Sequence, residues 1–169
     1  MEIAENITRM ADHAASIHSL TQGIAAEQAR WRPAAESWSI LEVINHLYDE
    51  EREDFRVRLD HILHQPGRDF PPIDPQGWVT ARKYNERDLA ESVANFLAER
   101  EKSLDWLGEL GTPDWEAFRE APWGKLRAGD MLAAWVAHDV LHLRQLVELH
   151  YALAARDLNP YRPDYAGEW

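Results

Sequence analysis

No cysteine occurs among the 169 residues, which excludes disulfides, thiolate metal sites, iron–sulfur clusters and a cysteine nucleophile on this chain. Cations are scarce as well: 18 Lys and Arg stand against 30 Asp and Glu, a formal charge of −12. A protein that tracks nucleic-acid phosphates needs clustered Lys and Arg, so no nucleic-acid partner is expected. No uninterrupted apolar run approaches the ~18 residues of a membrane span, and no membrane partner is expected either. Met1 to Leu20 carry Glu2, Glu5 and Asp12 where a signal peptide would have an apolar stretch. The expectation is a soluble, cytoplasmic globule. No segment alternates long enough to predict a strand.

What is present is helical periodicity. A hydrophobic share of 45% over this length predicts one domain, residues 1–169, with a real core. Ile3, Ile7, Met10, Ala14, Ile17 and Ile24 recur at helical spacing and predict a first helix from Ile3 to about Ala26. Ser39-Ile40-Leu41-Glu42 has the form of a capping box, opening a second helix that runs through Val43, Leu47, Phe55 and Leu59 to about His64. Its central run, Asp49 to Asp54, is acidic enough that most of it is expected in solvent. Residues 67–79 hold Pro71, Pro72, Pro75 and Gly77 and predict a loop. Asn85 and Asp88 offer an N-cap for a third helix along Leu89, Val93, Phe96, Leu97, Leu104 and Leu107. A second long connection, Thr112 to Gly124, carries Trp115, Phe118 and Trp123 and reads as a lid packed on the helices. The fourth helix is predicted from Asp130 to Ala155, and a Pro- and Tyr-bearing tail follows. The architecture expected is all-α, a four-helix bundle with two longer connections.

Position sorts the eight histidines. His138 and His142 stand one turn apart on one face of the fourth helix, beside an apolar arc of Leu132, Trp135, Val136, Leu143 and Leu146. Two imidazoles at that spacing can grip one transition metal, and two interior histidines bonded to neighbours can share it without a metal. The third candidate ligand is His46, among apolar neighbours in the packed part of the second helix, since bundle sites draw ligands from facing helices at matching depth. His61 lies too far along the same helix to share an ion with His46, and with His64 it reads as a helix-end pair. Asp139 falls within the apolar arc and needs a partner, either a ligand histidine or an interior arginine. Asp49 and Glu50 follow His46 by three and four residues and can reach the same face. Glu50 is the candidate for a carboxylate that handles protons.

Trp31-Arg32-Pro33, Ser37-Trp38-Ser39-Ile40-Leu41-Glu42-Val43, His46-Leu47 and the run His138-Asp139-Val140-Leu141-His142-Leu143-Arg144-Gln145-Leu146 together resemble the DinB/YfiT-like superfamily, over nearly the whole chain. That resemblance implies an up-up-down-down four-helix bundle, often a homodimer. It also implies one divalent metal, nickel or zinc, on His46, His138 and His142. It further implies reactions in which a low-molecular-weight thiol is cosubstrate, S-transfer or isomerisation, with metal-dependent hydrolysis of a small-molecule substrate as the alternative. Three neutral imidazoles leave a cation an open coordination position, which suits catalysis. The contrasting class is a non-catalytic bundle that binds a metal or small ligand, with Trp78, Trp115, Trp123 and Trp135 as candidate pocket walls.

Overall fold

A computed structural model describes residues 2–122 and 124–167. In chain order the elements are α1 (Ile3–Thr21), a short α2 (Ala26–Arg30), α3 (Ile40–Glu50), a π-helical turn (Glu51–Phe55), α4 (Arg56–His64), α5 (Pro75–Ala81), α6 (Leu89–Glu109), the strands β1 (Phe118–Ala121) and β2 (Gly124–Arg127), and α7 (Ala128–Asp157). Backbone angles stay helical from Glu50 through Arg56, so α3, the π turn and α4 form one continuous rod. Four rods result: α1, α3–α4, α6 and α7.

Two apolar clusters stack along their common axis. One gathers Ile17, Ile40, Ile44, Val93, Phe96 and Leu149; the other gathers Met10, Leu59, Leu107, Leu132 and Trp135. Rising residue number moves from the second cluster to the first along α1 and α7, and from the first to the second along α3–α4 and α6. The protein is therefore a four-helix bundle whose rods run up-down-down-up, an order different from the up-up-down-down sense that the resemblance implied. Because α4 ends and α6 begins at opposite ends, their connection must travel the length of the bundle. It does so along α3, carrying α5 with it.

The stretch read as a loop from 67 to 79 contains the start of α5, because Asp74 accepts from the Gly77 amide at 3.0 Å and Pro75 occupies the first turn, where its missing N–H costs nothing. The first helix stops at Thr21, and α2 follows after Gly23, whose φ of +74° breaks the helical path. The lid contains an antiparallel hairpin, with Phe118 paired to Arg127 and Ala121 to Gly124. Each strand is four residues long, too short for a period-two pattern to register. Trp123, also assigned to that lid, lies outside the described residues. The acidic run is not in solvent: Asp49, Glu50, Glu51 and Asp54 are all buried. Their counter-charges include Arg82 and Arg100, distant in sequence, and no local pattern could announce them.

The capping box at the head of α3 forms as read. Ser39 Oγ accepts from the Glu42 amide at 3.2 Å, and the Glu42 carboxylate accepts from the Ser39 amide at 2.8 Å. This cap sets the rotation of α3, and so fixes which way His46 projects two turns on.

Candidate metal centre

His46 of α3 and His138 and His142 of α7 meet between the two facing rods. The Nε2 atoms of His46 and His138 are 3.3 Å apart, those of His138 and His142 are 3.1 Å apart, and one nitrogen from each of the three rings lies within 4.8 Å of the others. Nitrogens held about 2.0–2.1 Å from one ion at tetrahedral angles stand about 3.3–3.4 Å apart, and two of the three pairs come close to that separation. Orientation agrees with spacing. His142 Nδ1 donates to Gln145 Oε1 at 2.8 Å, which leaves its Nε2 lone pair facing the other rings. His46 Nδ1 is buried without a hydrogen-bond partner. Trp38 walls the cluster at 4.9 Å from the His46 ring and Phe55 at 4.9 Å from the His138 ring.

Burial keeps these imidazoles neutral. It lowers His46 to about 3, with help from the charge His142 would carry, and lowers His138 to about 2, with help from His142, His46 and Arg100. His142 is lowered as well, again by burial first. Neutral rings with converging lone pairs are what a cation requires.

The three histidines line a cavity of about 660 Å³, together with Trp38, Glu50, Gln76, Gln145 and Glu148. Glu50 is 5% exposed, its Oε1 has no partner, and burial, reinforced by neighbouring Asp54, raises its carboxyl to about 8. It therefore holds its proton at neutral pH. Asp49 does not line the cavity. It binds Arg52, Arg82 and the Tyr84 hydroxyl, and so ties the long crossover connection to α3. Asp139 turns the other way: Arg100 donates to both its oxygens at 2.7 and 2.8 Å, and His13 Nδ1 lies 3.3 Å away. Of the two roles open to Asp139, pairing with an interior arginine is the one observed.

The DinB superfamily profile matches residues 9–146, more than three quarters of the chain. The chain belongs to the DinB superfamily. Among solved structures, YfiT from Bacillus subtilis is similar, with a TM-score of 0.79 and 16% sequence identity over 90% of this chain and 88% of YfiT. That protein is described as a probable metal-dependent hydrolase with an unusual four-helix bundle topology. No curated protein matches this DinB chain significantly in sequence.

Sequence reasoning missed several residues here. Trp38 forms a cavity wall, whereas Trp78 stacks under Arg82, Trp115 packs in the second apolar cluster and Trp135 is buried against Phe55. Gln145 had a usable signal, since it stands three residues after His142 on the same face. His61 is buried against Phe70, not set out as a helix-end charge.

Proposed function

We propose that this DinB protein is a divalent-metal-dependent enzyme that binds one transition metal through His46, His138 and His142 and hydrolyses a small-molecule substrate held in the adjoining cavity. One observation carries the proposal: three imidazole nitrogens converge within 4.8 Å of one another on a cavity that also contains the buried Glu50 carboxyl group. The description of YfiT as a probable metal-dependent hydrolase supports the same class. Imidazole donors favour nickel, copper or zinc over magnesium or calcium. When bound, such an ion supplies Lewis acidity and lowers the pKa of whatever occupies its open position.

The remaining roles fall to the chain itself. Gln145 fixes the His142 tautomer so that its Nε2 faces the site. Trp38 and Phe55 exclude water from one side of the imidazole cluster. Glu50 holds a proton at neutral pH that it can give to the atom leaving the substrate, and the resulting carboxylate can take a proton back for the next cycle. Thiol transfer would use the same ligands, but no described residue in the cavity is specific to a thiol, and hydrolysis takes precedence. Cytoplasmic residence and a homodimeric state belong to this proposal too.

The test begins with element-resolved metal analysis of protein purified without a histidine tag, followed by turnover of ester and amide panels after chelation and after reloading with Zn²⁺ or Ni²⁺. Near one equivalent of metal is expected, with hydrolysis that chelation abolishes and reloading restores. Full metal retention by His138→Ala would refute the ligand set, and turnover untouched by chelation would refute the metalloenzyme.

A further inference from the structure

The cavity lining is one-sided in charge. It presents the carboxylates of Glu36 and Glu148, the carboxyl group of Glu50 and the amides of Gln76 and Gln145, and no lysine or arginine is among its lining residues. The arginines around it are committed to other carboxylates, Arg58 to Asp54 among them. Arg32 is held by both oxygens of Glu42, through its Nε at 2.9 Å and its Nη2. Arg144 points outward with its side chain 72% exposed, meeting Glu148 at 3.3 Å as a helix-surface pair. Such a pair is worth a few tenths of a kcal/mol and leaves Glu148 able to take a second cation. Glu36 sits in the segment before α3 and Glu148 on α7, six residues past His142, or roughly 9 Å along the helix axis. The indole of Trp38 lines the same cavity, parallel to the His142 ring with centroids 6.4 Å apart, and is the kind of ring whose face attracts an ammonium. Glu50, more than nine-tenths buried with an unpartnered Oε1, closes the cavity beside the imidazoles and marks it as built for a ligand with hydrogen-bonding groups.

We propose that the substrate is a cationic, amine-bearing molecule, whose ammonium group lies at the rim near Glu36, Glu148 and Trp38 while its reacting group lies at the three histidines. The inference rests on the hydrolase reading for the reacting end only. The rim acts without the metal, so the two ideas fail separately. An anionic substrate would meet the Glu36 and Glu148 carboxylates with no cationic side chain lining the cavity to receive it, since Arg144 faces outward and Arg32 is held by Glu42, whereas a positive one meets two carboxylates that those arginines offset only in part. A cavity of about 660 Å³ suits a molecule of cofactor fragment size.

Three probes that share a phenylalaninamide core and carry different charges on the amino substituent test this: phenylalaninamide (positive), N-acetylphenylalaninamide (neutral) and N-succinylphenylalaninamide (negative). Calorimetric titration of the full chain, both metal-free and Ni²⁺-loaded, should rank them positive, neutral, negative. The first step should be about fivefold, the scale of two partly screened ion pairs, and it should shrink with added salt. The double variant Glu36→Gln/Glu148→Gln should abolish the ranking while its melting temperature and metal content stay at wild-type values. Equal binding of the three, binding of none, a preference for the negative probe in metal-free protein, or a ranking that survives the double variant would each overturn the proposal. Loss of metal binding with the ranking intact would overturn the hydrolase reading alone.

Discussion

Two buried polar regions lie side by side in this bundle, and they are built on opposite plans. Around Arg100 every strong group is paired: its guanidinium meets Glu51 at 2.7 and 2.9 Å, Asp139 at 2.7 and 2.8 Å and the Met10 carbonyl at 3.1 Å, and Glu51 also accepts from Trp135 Nε1 at 2.9 Å. One turn away, the histidine cluster leaves His46 Nδ1 and Glu50 Oε1 without partners. The neighbours are consecutive in sequence. Glu50 faces the cavity and Glu51 the arginine; His138 faces the cavity and Asp139 the arginine. A saturated ionic cluster holds helices together, and an unsaturated one retains capacity for a ligand. The π turn that opens at Glu51 is placed where these two fates divide.

The largest loss is expected at Arg100. Arg100→Met strands Glu51 and Asp139 in the interior, and a loss of about 3–5 kcal/mol in denaturant-measured stability is expected. His138→Ala should do the reverse. Bound metal after dialysis falls from near one equivalent to near none, while the metal-free protein keeps its helical circular dichroism, a cooperative melt and its stability to within about 1 kcal/mol. The candidate ligands come from only two rods, so an ion held there would leave α1 and α6 untied and the core is expected to stand without it. Smaller again is Gln145→Leu, which frees the His142 ring and should weaken metal binding about 10–100-fold in a competitive chelator titration.

pH sharpens the contrast within the cavity. Glu50 is raised from the ordinary 4.5 to about 8, so between those values the folded state binds a proton that the unfolded state has released, and stability falls as pH rises across the window. Glu50→Gln should flatten that decline in melts at pH 5, 6.5 and 8. The histidines act with the opposite sign. Their folded values are depressed, to about 3 for His46 and about 2 for His138, so the stability they contribute is present above pH 6.5 and is lost as the pH falls toward 3. The same depression revises the fall of metal affinity through the ordinary imidazole range that composition alone suggests. Three unperturbed histidines would lose about a thousandfold between pH 8 and pH 5.5, whereas this buried cluster should lose less than about tenfold.

The bundle and the histidine cluster were legible in the sequence for a shared reason: both arise from spacing within single helices. Ser39 and Glu42 announce the start of α3, and that start determines where His46 points. His138 and His142 share a face because of the helical repeat alone. The features that escaped depend on partners far away in the chain. Glu51 reads as surface charge until Arg100 arrives from α6, and Asp49 does so until Arg82 and Tyr84 arrive from the crossover. The hairpin escaped for want of length, and the sense of the helices because direction depends on where a connection travels rather than on what it contains.

The crossover between α4 and α6 has one further bearing. Pro75 and Gln76 form a side of the cavity, and they are the first two residues of a helix carried by a strap lying across α3. Beyond α5 the strap is moored where Arg82 grips Asp49 and Glu53, Tyr84 meets Asp49, Asn85 bonds Ser39 and Arg87 bonds Asn45; ahead of it Phe70 packs on His61 and Arg119 holds Arg68 and Asp69. Residues 65–74, ahead of that mooring, belong to no regular element. Insertions or deletions there can redraw the outline of the pocket while the three imidazoles stay where the rods put them, so among proteins with this architecture the choice of substrate and the retention of the reactive centre are free to evolve on separate clocks.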